Sequence, residues 1–228
     1  MARTWALVLA AGAGTRFGTN PDGLTKAMVP ILKRPMVAWS VEAARRACDG
    51  VTLVVAASMA EREFDGVDTV VAGGDSRSES VRAGLETVPD DVDVVVCHDA
   101  ARPGASAALF ERVIAAVRSG ADAAVPALAV SDTLKRVPEW GDSGGAVAET
   151  VSRDGIFAVQ TPQAFRRAAL VNAHDVEPEA TDDAALIEAA GGTVMAIPGE
   201  ATAHKVTTAA DLVVVEALLS GRAGSDGL

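Results

Sequence analysis

Residues Trp5 to Gly18 read WALVLAAGAGTRFG, and this stretch decides the fold. Its opening, Trp5 to Ala10, is mostly apolar and long enough for one buried strand. The chain then enters a loop made almost wholly of glycine and alanine, ending on Thr15 and Arg16. A strand feeding such a loop lets phosphates and a flat base approach the backbone, because no side-chain bulk intervenes. Arg16 adds a planar charged fork that suits phosphate oxygens. Two familiar glycine loops are excluded. The dinucleotide fingerprint needs a third glycine where Phe17 stands, and a P-loop over 18–25 needs lysine where Leu24 stands. A rival reading is a signal sequence, with Arg3, the apolar run and a cleavage site at Ala11–Ala13. The run is short for that purpose and carries little Leu or Phe.

Working outward, the 228 residues suffice for one domain of ordinary size, expected over 1–221, with 222–228 as a loose tail. An apolar content of 49% describes a globular chain, and no apolar run reaches the ~18 residues of a membrane span. A net charge of -11 argues against sequence-independent nucleic-acid binding. Cys48 and Cys97 lie far apart, outside any ligand spacing, and read as core residues in a reducing cytoplasm. Lys26, Lys33, Lys135 and Lys205 are the only lysines, so one that falls at a glycine loop or strand end carries weight.

The apolar runs predict strands at 51–57, 68–72, 93–98, 123–130, 157–160 and 193–197. Helices are expected at 35–48, 60–64, from 76 through Leu85, at 106–119, 164–174, from 181 to the glycines at 191–192, and 208–220. Ser76 and Glu79 form a capping-box pattern, so the helix there should present free N–H groups beside the Gly73–Gly74 turn. Alternating strands and helices imply an α/β, Rossmann-like fold: a mostly parallel sheet flanked by helices, with ligand loops at the strands' carboxyl ends. Residues 12–16, 73–80 and 99–102 all follow strands and can converge on one nucleotide crevice. In that crevice Asp99 could take Mg²⁺ or a ribose hydroxyl, or simply pair with Arg102. Residues 132–152 break the rhythm as a protruding β-hairpin arm with a long tip. An isolated hairpin is marginal, so a second subunit is expected to cover it, making a homodimer.

Several of these segments, in this order, resemble one family. LAAG with Gly14, Arg16 and Lys26 resembles the nucleotidyltransferase superfamily signature. GGDSRSESV at 73–81, HDAARP at 98–103, DTLKR at 132–136, QTPQAF at 160–165, TDDA at 181–184 and HKVTT at 204–208 resemble the 2-C-methyl-D-erythritol 4-phosphate cytidylyltransferases of the non-mevalonate isoprenoid pathway. The resemblance implies transfer of CMP from CTP to the phosphate of methylerythritol phosphate, with Mg²⁺ or another divalent cation and release of pyrophosphate. By that likeness Ala10, Ala11, Gly74, Asp75 and Ser80 hold the cytosine, while Gly12, Gly14, Arg16 and Lys26 surround the triphosphate. Asp99 sits by the ribose and metal. Arg102, Thr133, Arg153, Thr161, Thr181 and Lys205 hold the acceptor, some of them reaching from a partner's arm.

The chemistry suits these residue types. The nucleophile is a phosphate monoester whose second pKa is about 6, so no general base is required. Arg16 and Lys26 are the catalytic candidates, stabilising charge on the triphosphate. The sequence departs from the family at Thr25, where relatives carry proline, and in a longer span from Arg16 to Lys26, which leaves Lys33 as a substitute. His204 stands where relatives carry an apolar residue; it reads as a packed neutral histidine or a ligand contact. Ribitol-5-phosphate cytidylyltransferase is the nearest alternative, and a catalytically silent nucleotide-binding protein the alternative of another class.

Overall fold

The computed structural model describes residues 3–12, 17, 25–176 and 182–223. Strand β1 (Arg3–Ala10) lies in the interior of the main sheet. After Lys26–Met28, a single 3₁₀ turn, β2 (Pro30–Ile31) and β3 (Arg34–Pro35) make a small hairpin. Leu32 and Lys33 turn it with positive φ values of 50° and 66°. Helix α1 (Met36–Ala47) starts directly after Pro35, whose missing N–H is no loss at a helix start.

Strand β4 (Gly50–Val55) pairs parallel with β1, and β5 (Thr69–Ala72) parallel with β4. Gly50 is required by its neighbour: a Cβ there would lie 2.1 Å from the Trp5 ring, whose Nε1 donates to Thr52 Oγ1 at 2.9 Å. The helix expected at 60–64 does not form. A 3₁₀ turn at Ala57–Met59 replaces it, and residues 60–68 then run through turns and irregular backbone to β5.

Helix α2 (Arg77–Leu85) leads to β6 (Val92–Asp99), which pairs parallel with β1 on its other side. Helix α3 (Ala107–Arg118) follows, capped by Ser106, and then β7 (Ala123–Ala129). The arm is a separate two-stranded ribbon of β8 (Leu134–Arg136) and β9 (Glu149–Val151), shorter than expected, with a bridge between Gly141 and Gly144 near its tip. Strand β10 (Phe157–Val159) returns antiparallel to the edge of β7.

The expectation of a helix from 164 needs correction. Residues Gln163–Arg166 form a strand, β11, antiparallel to both β6 and β7, and the helix α4 (Arg167–Val176) begins only after it. The reason is burial. Ala164 and Phe165 are enclosed on opposite faces of the sheet, which a strand's alternation allows. Helix α5 (Asp183–Ala189), strand β12 (Val194–Pro198), parallel to β7, and helix α6 (Ala209–Ala223) complete the chain. The last helix runs beyond the expected stop at 220, so the expected tail lies partly within it.

The strand order is β10-β7-β11-β6-β1-β4-β5, with β12 also on β7. The result is a mostly parallel mixed sheet with apolar cores on both faces. One face packs on α1 and α3 through Val41, Ala44, Phe110 and Ile114; the other packs on α2, α4 and α5 through Val81, Leu170 and Leu186. Among the described residues no helix is long and apolar enough to cross a membrane.

Candidate active site

The carboxyl ends of β1, β5 and β6 open into a cleft of about 530 Å³. Leu9 to Gly12 form its floor, Gly74 to Arg77 with Ser80 one wall, and Asp99 to Ala101 the back. Lys26 enters from the 3₁₀ turn, and Lys205 with Thr207 from the segment before α6. The cleft thus brings together Ala10, Ala11, Gly12, Lys26, Gly74, Asp75, Ser80, Asp99 and Lys205 of the sequence candidates.

Other candidates lie elsewhere. Arg16, Gly14 and Thr181 fall outside the described residues. Thr133 and Arg153 are exposed at the base of the arm, where Arg153 Nη1 donates to Ser131 O, and neither lines the cleft of its own chain. Arg102 is turned away: Nη1 donates to Ala203 O at 2.9 Å and Nη2 to Val159 O at 3.4 Å, strapping β10 to the segment before α6. Lys33, the alternative to Lys26, is exposed at the β2–β3 turn and does not line the cleft. His204 is neither packed nor in the cleft; its Nε2 lies 3.1 Å from Asp211 Oδ1 and helps fix the start of α6.

The diglycine wall is tight. A Cβ on Gly74 would fall 2.4 Å from Glu79 Cβ. The Ser76–Glu79 capping box is complete, and it takes up three N–H groups at the head of α2, those of Asp75, Ser76 and Glu79. Glu79 Oε2 accepts from Asp75 N at 2.6 Å and Ser76 N at 3.0 Å, while Ser76 Oγ accepts from Glu79 N at 3.1 Å. A carboxylate of the chain therefore already occupies the two amides that lead into this helix. Ser80 donates to Ser76 O at 3.0 Å, which leaves its oxygen able to accept.

Asp99 is the hub. Its side chain is 14% exposed, and Oδ2 accepts from Lys205 Nζ at 2.6 Å. Arg77 Nε stands 3.8 Å from Oδ1. Burial would raise the carboxyl's pKa, but Lys205 and then Arg77 outweigh it and hold Asp99 below the usual carboxylate range. The ion-pair partner is thus Lys205, not the neighbouring Arg102. Neither Lys205–Asp99 nor Arg77–Asp99 is legible as a pair in the sequence, because the topology alone joins them.

Thr161 works beneath this hub. It is buried, and its Oγ1 accepts from Asp99 N at 3.0 Å. Its own hydrogen is then available to His98 Nδ1, 3.1 Å away. That makes Nδ1 the acceptor and places the ring proton on Nε2, which faces Ser40 Oγ at 3.3 Å; Ser40 in turn donates to Ala100 O at 3.4 Å. Burial pushes the His98 imidazole down to about 3, so it is neutral at physiological pH. This chain of hydroxyls and one imidazole pins the backbone on both sides of Asp99.

The mostly parallel sheet with its cleft at the strands' carboxyl ends accords with the class its relatives share, the nucleotidyltransferases. The sequence profile of the 2-C-methyl-D-erythritol 4-phosphate cytidylyltransferase family matches residues 4–221. The chain belongs to that family. Its relatives include the 2-C-methyl-D-erythritol 4-phosphate cytidylyltransferase of Frankia casuarinae, 46% identical over 96% of this chain and 82% of the relative. That of Streptomyces avermitilis is 42% identical over 99% and 95%. Among solved structures, the 2-C-methyl-D-erythritol 4-phosphate cytidylyltransferase of Thermus thermophilus superposes with a TM-score of 0.80 at 32% identity, covering 96% of this chain and all of the other. These relatives favour methylerythritol phosphate over ribitol phosphate, and an enzyme over a silent binder.

Proposed function

We propose that this chain transfers CMP from CTP to 2-C-methyl-D-erythritol 4-phosphate and releases pyrophosphate. The observation that carries the reading is the meeting of Lys26, Asp99 and Lys205 with the Gly74–Asp75 wall in one cleft. A phosphate oxygen of the acceptor attacks the α-phosphorus of CTP. The new P–O bond forms as the bond to the bridging oxygen breaks, and pyrophosphate leaves with the electron pair. Lys26, together with Arg16, stabilises the charge that builds on the triphosphate. Lys205 exchanges Asp99 for the acceptor phosphate.

Asp99 fits a divalent cation of the Mg²⁺ type, which is commonly held by one or two carboxylates plus substrate phosphates. It is an ionised carboxylate facing the cleft, and no cluster of three or more metal-ligating side chains occurs among the described residues. When bound there, such an ion supplies charge neutralisation at the phosphates. The decisive experiment is pyrophosphate release from CTP with methylerythritol phosphate, run beside ribitol 5-phosphate. Absence of release with the first acceptor overturns the reading.

The assembly belongs to the same proposal. The arm has only three residue pairs between its strands, and Trp140 near its tip is 77% exposed. Ile156, Phe157 and Val159 beyond it are exposed as well. A second copy covers these groups and receives Arg153 and Thr133 into its acceptor side. Arg153→Ala then raises the acceptor KM by about 10–100-fold, the loss of one charge-assisted hydrogen bond worth ~1.5–3 kcal/mol, and leaves the KM for CTP nearly unchanged. Steady-state kinetics check this. At an acceptor concentration too low for the Arg153→Ala homodimer to turn over appreciably, mixing Arg153→Ala with Lys26→Ala chains should restore activity, since one cleft of the mixed dimer is complete; no recovery counts against the shared site.

The pH profile is a further test. His98 stays neutral and Asp99 stays ionised through neutral pH, so neither titrates in the working range. The acceptor does. Its attacking form gains as the second phosphate proton leaves near pH ~6, so kcat/KM should rise about tenfold per pH unit below ~6 and level off above it. A profile instead falling through neutral pH would point to a protonated side chain in the reaction.

A further inference from the structure

We infer that Asp183 is a positioning residue: through a fixed ion pair with Arg77 it keeps a permanent counter-ion beside Asp99 when Lys205 turns to the acceptor phosphate. The inference rests on the functional reading above. Its basis is a line of alternating charges running from the interior to the cleft. Asp183, 1% exposed, accepts from Arg77 Nη1 at Oδ2, and His174 Nε2 lies 3.3 Å from its Oδ1. Arg77 then faces Asp99, and Asp99 faces Lys205.

The two cations on Asp99 differ in kind. Lys205 is 41% exposed, bound by a single ammonium on a flexible stem, and free to swing. Arg77 is 27% exposed, and its fork is held at the far end by Asp183. A buried carboxylate deprived of every counter-ion is strongly disfavoured. Until a divalent cation reaches Asp99, Lys205 can therefore leave it at small cost only while Arg77 stays.

Asp183 is not needed where it stands for the helix. Asp182 caps α5, its Oδ1 accepting from Ala185 N at 2.8 Å, and Asp183 turns inward instead. Nor is a buried ion pair a general device for stability, since apolar replacements of similar volume are often neutral or better. What the pair supplies is the orientation of Arg77.

The test compares Asp183→Asn, Arg77→Lys and the double variant by kinetics with CTP and methylerythritol phosphate. Thermal melting confirms folding. The expected result is an acceptor KM raised by about 10–100-fold in each single variant, the range for residues supporting a ligand-holding carboxylate. The KM for CTP should change less than about twofold, and the double variant should be no worse than Arg77→Lys alone. A folded Asp183→Asn with an unchanged acceptor KM, or single effects that multiply, would overturn the inference. Should Asp183→Asn fail to fold, Arg77→Lys decides by the same KM split. The Nη resonances of Arg77, separately resolved in the parent if the fork is clamped, give a readout apart from turnover; a freely rotating fork overturns the clamp. A parent that releases no pyrophosphate refutes the functional reading, whereas an active parent with indifferent variants refutes this inference alone.

Discussion

Lys26→Ala should slow turnover by about 10²–10³-fold, the usual loss on removing one group aimed at charge developing in a transition state. The fold should survive the change. Lys26 stands on a single 3₁₀ turn whose backbone bonds, Met28 N to Thr25 O at 2.9 Å and Val29 N to Lys26 O at 3.1 Å, do not involve the side chain. The buried member of that turn is Ala27, which anchors it against the core. Lys33 cannot stand in, because it lies outside the cleft on the β2–β3 turn. Single-turnover measurement of pyrophosphate release, with melting curves of parent and variant, checks both halves. A variant within threefold of the parent would remove Lys26 from the reaction.

The second large effect is on stability. Phe165→Ala should destabilise the protein by about 3–5 kcal/mol, as large core aromatics typically do. On a domain of this size that lowers the melting temperature by roughly 6–20 °C. Phe165 is fully buried at the middle of β11, opposite Val95 of β6 and Ala123 of β7, in one core with Trp5, Leu7 and Leu170. Its loss opens a void where three strands and α4 meet. Catalytic constants measured well below the transition should remain near those of the parent, because the cleft lies elsewhere. A shift of less than 2 °C would mean the site collapses to fill the void.

How far these features can be read in advance varies with their range along the chain. β1, β4, β5, β6 and β7 carry apolar runs bounded by glycine, aspartate or a charged turn, and such local signals place them within a residue or two. The capping box is likewise local, and it forms as written. β11 escapes a sequence reading because QAFR has no length and no alternation strong enough to outweigh the helical residues that follow it; only its insertion between β6 and β7 makes it a strand. The cleft's glycine and lysine members are legible from sequence. Arg77 is not, since its two carboxylate partners become neighbours only through the sheet, with Asp183 lying 106 positions away. Thr161 shows a subtler limit. The resemblance puts its side chain at the acceptor; that its hydroxyl also bonds Asp99 N and faces His98 is visible only in the fold.

The closed capping box at the head of α2 bears on which way round a nucleotide can lie. There the Glu79 carboxylate occupies the amides of Asp75 and Ser76, while Lys26 and Lys205 also line the cleft. If the proposed reaction holds, the cleft has a compass bearing: the Glu79 carboxylate repels a polyphosphate tail from this tight corner and leaves it to an uncharged planar group.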